Sequence, residues 1–305
     1  MQTSVSQIRV MAFAVSALLL AAACASSPQT PRAGPSTSAT VTNMATSSAA
    51  GRTSTATSTA TPGTTSITRA STTKAPTSSN PTSRASTTAP TATIPRSLAG
   101  QVVTHIPTSR KVVALTFDAG ANGDGVDSIL ATLARDKVAG SFFLTGDFVD
   151  SYPTLARRMS AMGRLGNHTT NHPHLPAMTD AQVRAQIDGA RTTILSVTGE
   201  DPRPFFRFPF GDSSPHDLEI VRAFGYVTVG WTVDSLGWQG TSGGRSVDSI
   251  VQRVLQAAAP GEIVLMHVGS HPTDHSTLDA NALPRVISGL RAAGYGFVTL
   301  DTLVP

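Results

Sequence analysis

Cysteine is almost absent: the one cysteine among 305 residues is Cys24. An intrachain disulfide is therefore excluded, and so is any zinc cluster built on thiolates. Acidic residues are missing from the first third of the chain, the first being Asp118. Residues 1–97 carry Arg9, Arg32, Arg52, Arg69, Lys74, Arg84 and Arg96 with nothing opposing them. Of the 23 Lys and Arg, that leaves sixteen against nineteen Asp and Glu from residue 98 onward, a charge of −3. The overall +4 thus belongs to a tail. A nucleic-acid enzyme carries its positive charge on the folded domain, so no nucleic-acid partner is expected. Aromatic residues are missing between Ser26 and Ser97, where 36 of 72 residues are Ser or Thr and much of the rest is Ala and Pro. Such a composition cannot bury enough apolar surface to offset chain entropy. Residues 25–97 are expected to form a disordered linker.

A long apolar run is also lacking. Residues 10–23, VMAFAVSALLLAAA, follow Arg9 and contain one serine. Such a run is short for crossing a bilayer and suits the apolar region of a secretory signal. Small residues before Cys24 resemble a bacterial lipobox, in which the cysteine is lipidated and becomes the new terminus. Ala23-Cys24-Ala25 also fits cleavage by ordinary signal peptidase. Residues 1–24 are accordingly expected to be a signal peptide of the lipoprotein type. The product would sit on the outer face of the bacterial membrane or in the cell wall, anchored through a lipidated Cys24 and otherwise secreted.

Periodic patterns begin near residue 110, within a domain placed at 98–305. Strand-like runs occur at 112–117, 140–146, 164–168, 205–209, 226–234, 262–267 and 296–301. Helical signatures lie between them. Val126, Ile129, Leu130 and Leu133 share one face, and Pro153 suits the first turn of a helix carrying Leu155, Met159 and Met162. Thr179 with Gln182 forms a capping box for a helix that Gly199 would end. Ser214-Pro215 opens another, and 247–258 and 282–293 supply two more. Strands that are apolar throughout and alternate with helices imply a parallel sheet covered by helices. Seven strands allow an incomplete barrel or a doubly wound sheet.

In parallel α/β folds, functional groups gather beyond the carboxyl ends of the strands. Those positions read Phe117-Asp118-Ala119-Gly120, Asn167-His168-Thr169-Thr170-Asn171-His172, Arg207-Phe208-Pro209-Phe210-Gly211, Asp234-Ser235-Leu236-Gly237-Trp238 and Leu265-Met266-His267. A carboxylate, paired imidazoles, an arginine and a further histidine converge on one end.

From Arg110 to Asp301 these motifs, in this order, resemble the polysaccharide deacetylase family, the carbohydrate esterases with a NodB-homology domain. The resemblance implies a distorted, incomplete (β/α) barrel of about seven parallel strands. It also implies a metal-dependent hydrolase that removes acetyl groups from a polysaccharide such as peptidoglycan or a chitin-like N-acetylglucosamine polymer. Asp118 matches the general base and His267 the general acid. Arg207 matches the arginine that orients and charges the base. His168 and His172 match two imidazole ligands of a divalent metal, Zn²⁺ foremost with Co²⁺ or Ni²⁺ as alternatives. The Phe210 N–H would help hold the oxyanion. Gly211 would let the loop approach the substrate, and Leu265 would line the acetyl pocket. Trp238, with Trp231, would wall the groove. His174 matches no motif position. A monomer is expected.

Two positions depart from the pattern. Ala119 stands where the family's third metal ligand, an aspartate, is usual. Gly237 stands where an aspartate usually tunes the catalytic histidine. Asp124, six residues beyond Asp118, is the nearest substitute ligand, although Asp124-Gly125-Val126-Asp127 also reads as a helix start with Asp124 as N-cap. Asp234, counted with the substrate-binding groups, is the candidate for orienting His267. The alternative to a working deacetylase is a catalytically weakened carbohydrate-binding relative that has lost its third ligand.

Overall fold

The computed structural model describes residues 95–305. The signal segment, Cys24 and the linker before Pro95 lie outside the described residues. Arg96–Leu98 make one 3₁₀ turn whose Leu98 is buried.

Among the described residues, nine strands form one sheet: β1 Val102–Val103, β2 Val112–Ala119, β3 Gly140–Leu144, β4 Gly163–Asn167, β5 Phe205–Phe206, β6 Val227–Val229, β7 Val233–Asp234, β8 Glu262–His267 and β9 Gly296–Phe297. Their order is β1-β6-β5-β4-β3-β2-β8-β7, with β9 also paired to β2. Every ladder is parallel. The seven expected runs are all present, and the ninefold count has two causes. The run 226–234 divides into β6 and β7, and β1 adds a short strand beside β6.

That division explains the incomplete barrel. β6 and β7 are neighbours in sequence but do not pair; they lie toward opposite ends of the strand order. The residues between them bridge the gap. Gly230 N–H donates to Val103 beside β6, whereas Thr232 N–H donates to Ile263 of β8. The sheet curls without closing its ladder.

Seven helices cover it: α1 Val126–Asp136, α2 Gly146–Ser151, α3 Pro153–Met162, α4 Asp180–Thr198, α5 Pro215–Ala223, α6 Val247–Ala257 and α7 Leu278–Ala292. Local chemistry sets their ends. Thr179 and Gln182 close a reciprocal capping box on α4, and Gly199 ends it at φ 79°. Ser214 and Asp217 do the same for α5. Gly125, not Asp124, is the N-cap of α1. α7 starts four residues before the expected 282, so Pro284 lies inside it rather than in its first turn.

All eight residues of β2 are buried, as are all five of β3, because helices or opposite strands cover both faces. Val126, Ile129, Leu130 and Leu133 of α1 and Leu283, Val286, Ile287 and Leu290 of α7 pack on the same core. Each such side chain contributes about 1.5–3 kcal/mol when removed from water. This frame holds the carboxyl ends of β2, β4 and β8 along one rim, with β3 between β4 and β2.

Candidate active site

Register places the first two groups. Asp118 near the end of β2 is the in-register partner of His267 at the end of β8. Parallel pairing sets a carboxylate and an imidazole on adjacent strands at one rim of the sheet.

Asp118 is held by Arg207. Nη1 of Arg207 donates to Asp118 Oδ1 at 2.6 Å, while its Nε and Nη2 donate to the carbonyls of Val229 and Gly230 at 3.2 and 3.0 Å. The guanidinium lies 4.1 Å from the centre of the Phe143 ring. Arg207 is 1% exposed and Asp118 7%. Burial by itself would raise the Asp118 pKa, but Arg207, with His168 and His267, outweighs it and holds the carboxyl below its ordinary value. The carboxylate is therefore ionised at neutral pH.

His168 follows β4 and is 2% exposed. Its Nδ1 lies 2.8 Å from the Arg207 carbonyl oxygen, which fixes Nδ1 as the protonated nitrogen of a neutral ring. Nε2 then faces Asp118 Oδ2 at 3.4 Å. His172 stands edge-on to His168, with ring centres 4.7 Å apart. Burial depresses both imidazoles, His172 to about 4 with His168 adding to the effect. Both rings are neutral near pH 7, the form that binds metals. The turn carrying them is strained: Thr169 and His172 have φ of 70° and 60°. Such backbone conformations persist where surrounding structure imposes them and cluster at functional sites. Phe210 and Leu236, at φ 59° and 63°, add two more at the same end.

His267 is affected in the opposite sense. Burial would depress its pKa, but the nearby Asp279, Asp118 and Asp234 carboxylates prevail and raise it. A carboxylate held ionised thus stands beside an imidazole whose pKa is raised, the kind of opposed pair that can share acid and base work.

The remaining expected groups are distributed less uniformly. Phe210 is 58% exposed, and its ring stacks on His174 at 4.0 Å and meets His172 edge-on at 4.5 Å. His174, which matched no motif, thus supports the Phe210 wall. Gly211 has φ 70°, and a Cβ there would lie 2.7 Å from the Trp231 ring. Its lack of a side chain makes room for Trp231. Leu265 is buried in β8, and Trp238 is half exposed. Asp234 does not bond to His267. Its Oδ1 accepts from Leu236 N–H and its Oδ2 from Trp238 Nε1. Sequence reasoning missed Asp279 of α7, whose Oδ2 accepts the His267 backbone N–H at 2.8 Å.

Asp124 is not brought to the histidines. Its Oδ2 accepts from Ser270 Oγ at 2.5 Å, beside Asn122, which also binds Ser270. Among the described residues, no group of three or more His, Cys, Asp or Glu is gathered so as to hold a metal ion. Ala119 is fully buried and has no donor atom. His168 and His172 fit the donor chemistry of a divalent ion, but they supply two of the three protein ligands usual in a hydrolytic zinc site.

Comparison with known proteins identifies the family. The family model described as polysaccharide deacetylase matches residues 105–229. The peptidoglycan-N-acetylmuramic acid deacetylase PdaA of Bacillus subtilis is 32% identical over 65% of this chain and 73% of its own length. The chain belongs to the polysaccharide deacetylase family. Its match to the solved structure of PdaA, a family 4 carbohydrate esterase, has a TM-score of 0.61 at 31% identity, covering 67% of this chain and 85% of that one. The peptidoglycan-N-acetylglucosamine deacetylase of Bacillus cereus is 32% identical over 65% of this chain and 70% of its own. A CE4-family pseudoenzyme of Bacillus anthracis also matches, with a TM-score of 0.61 at 26% identity, covering 68% of this chain and 69% of that one. Membership therefore supplies the fold and the enzyme class, and turnover in this chain rests on its own residues.

Proposed function

We propose that the protein is an exported, envelope-associated hydrolase that removes acetyl groups from N-acetylated cell-wall polysaccharide, peptidoglycan foremost. The observation that carries this reading is the buried Asp118–Arg207 pair, in register with a His267 whose pKa is raised. A module that only binds sugar needs neither an ionised base nor a protonated acid. Two of the relatives act on peptidoglycan according to their names, which favours that polymer. The signal-like residues 1–24 and Cys24 support export and lipid attachment.

The chain's residues divide the work as follows. Asp118, oriented by Arg207, accepts a proton from the attacking water. Neutral His168 and His172 would hold a divalent ion, foremost Zn²⁺, which when bound polarises the acetyl carbonyl and acidifies water. The Phe210 N–H lies in the loop that would face the oxyanion, and His267 delivers the proton to the departing amine. Phe210 and Trp238, both exposed, offer flat faces to the sugar rings, with Gly211 and Asp234 beside them and Leu265 against the acetyl methyl.

One observation favours a second reading, a carbohydrate-binding relative with weakened turnover: the absence of a third donor among the described residues. Acetate release separates the two. Peptidoglycan and chitin oligomers are incubated with the protein, with and without added Zn²⁺ or Co²⁺. Release from peptidoglycan supports the deacetylase. Binding to the polymer without acetate under every metal condition supports the binder.

A further inference from the structure

His267 ends β8, and nothing on its own strand orients its ring. The backbone across from it leaves a gap: Gly237 has no side chain. A Cβ at 237 would fall on the carboxylate of Asp279, 2.5 Å from its Cγ. Asp279, the second residue of α7, thus fills with its own carboxylate the space that a side chain at 237 would occupy. It is 3% exposed. Its Oδ2 accepts the His267 backbone N–H at 2.8 Å and lies 3.7 Å from His267 Nδ1. Asp279 Oδ1 and His267 Nδ1 are both buried and both without a hydrogen-bond partner. Nδ1, a donor when protonated and without a partner, thus has the buried Asp279 carboxylate just beyond hydrogen-bond distance.

We propose that Asp279 is the positioning residue of His267, accepting a hydrogen bond from Nδ1–H so that Nε2–H is turned toward the substrate. The proposal rests on the reading of His267 as the general acid. The other ionisable groups facing the imidazole do not compete for this role. Asp118 on β2 is held by Arg207, and Asp234 on β7 is occupied by Leu236 and Trp238. His168 and His172 also act on the same field, but His168 spends its Nδ1 on the Arg207 carbonyl. Asp279 reaches His267 from a different element, which is why Gly237 has to be small.

The test uses Asp279→Asn, which keeps an oxygen for the His267 backbone N–H and removes the charge, and a relocated carboxylate, Asp279→Ala with Gly237→Asp. Gly237 has an ordinary backbone conformation, since it is not among the glycines of positive φ, so aspartate is accommodated there once the Asp279 carboxylate is gone. Expected results are a fall in kcat of at least about tenfold in Asp279→Asn and Asp279→Ala with KM little changed, and substantial recovery in the relocated variant. In ¹⁵N-histidine-labelled protein, with His267 assigned by its loss in His267→Ala, the Nδ1-protonated form of wild type should be depleted in Asp279→Asn. Equal kcat in wild type and Asp279→Asn, with unchanged nitrogen shifts, would reduce Asp279 to a backbone tie and leave the deacetylase reading standing. If wild type releases no acetate, the functional reading falls instead. The nitrogen shifts then still decide Asp279, identical forms in both proteins overturning the proposal.

Discussion

Asp118 and Arg207 form a salt bridge of 2.6 Å with almost no exposure to water on either side. A buried pair of this kind is weak evidence for stability, because desolvation offsets much of the attraction. It is stronger evidence for function, because it fixes a charged carboxylate at the carboxyl-end rim, where parallel α/β folds gather functional groups.

Removing one partner exposes that balance. Arg207→Met should destabilise the fold by about 3–5 kcal/mol, because Asp118 stays buried without its cation. Burial then acts on Asp118 with little opposition and raises its pKa. The base is active when ionised, so the acid limb of kcat/KM should move to higher pH. Denaturant unfolding and a pH–rate profile measure the two effects. A stable variant with an unmoved acid limb would show that Arg207 does not set the charge of Asp118.

Glu262 opens β8 at the end opposite His267, fully buried and without a hydrogen-bond partner for either carboxylate oxygen. Burial pushes it up to about 7. The folded state then holds this proton at pH values where the unfolded chain has lost it. The stability associated with the neutral group is complete below the ordinary carboxylate range and is lost as pH rises toward 7. Glu262→Gln should match wild type near pH 4.5 and exceed it at pH 8 by about 3 kcal/mol. Thermal unfolding at the two pH values checks this; an equal difference at both would mean that Glu262 does not titrate in this range.

The strands carrying the site were legible in the sequence because β2, β3 and β8 are buried on both faces and read as unbroken apolar runs. Asp118, Arg207 and His267 stand at or just beyond the ends of such strands, so their convergence followed from a parallel sheet. Short-range signals failed where structure depends on distant contacts. β1 is two residues long and exists because β6 lies beside it. The run 226–234 is continuous in sequence, but Gly230 and Thr232 bond to different strands and divide it. Asp279 was hidden because the helix expected over 282–293 begins four residues earlier, at Leu278, with Pro284 inside it. Asp124 looked available as a ligand because sequence distance says nothing of Ser270, 146 residues away, which takes its carboxylate.

Metal binding should respond to position 119 and not to 124. Ala119→Asp adds an oxygen donor next to Asp118, and Zn²⁺ affinity should rise at least about tenfold, since a third protein ligand is what hydrolytic zinc sites use. Asp124→Ala should leave affinity unchanged and cost about 1 kcal/mol through loss of the bond to Ser270. Calorimetric titration with Zn²⁺ separates them. A collapse of affinity in Asp124→Ala would make Asp124 a ligand after all.

Attachment to the membrane depends on Cys24. A Cys24→Ser variant should be found in the culture medium while the unaltered protein stays with the membrane fraction. Equal partitioning of the two would remove lipidation as the anchor.

The account stands most directly on acetate release from peptidoglycan by Asp118→Asn and His267→Ala, each compared with wild type under the metal condition that gives wild type its highest rate. Each variant should retain the fold by circular dichroism and lose about 10²–10⁴-fold in kcat, the usual contribution of a positioned base or acid. Rates within a few-fold of wild type in either folded variant would contradict the assignment of the chemistry to this pair.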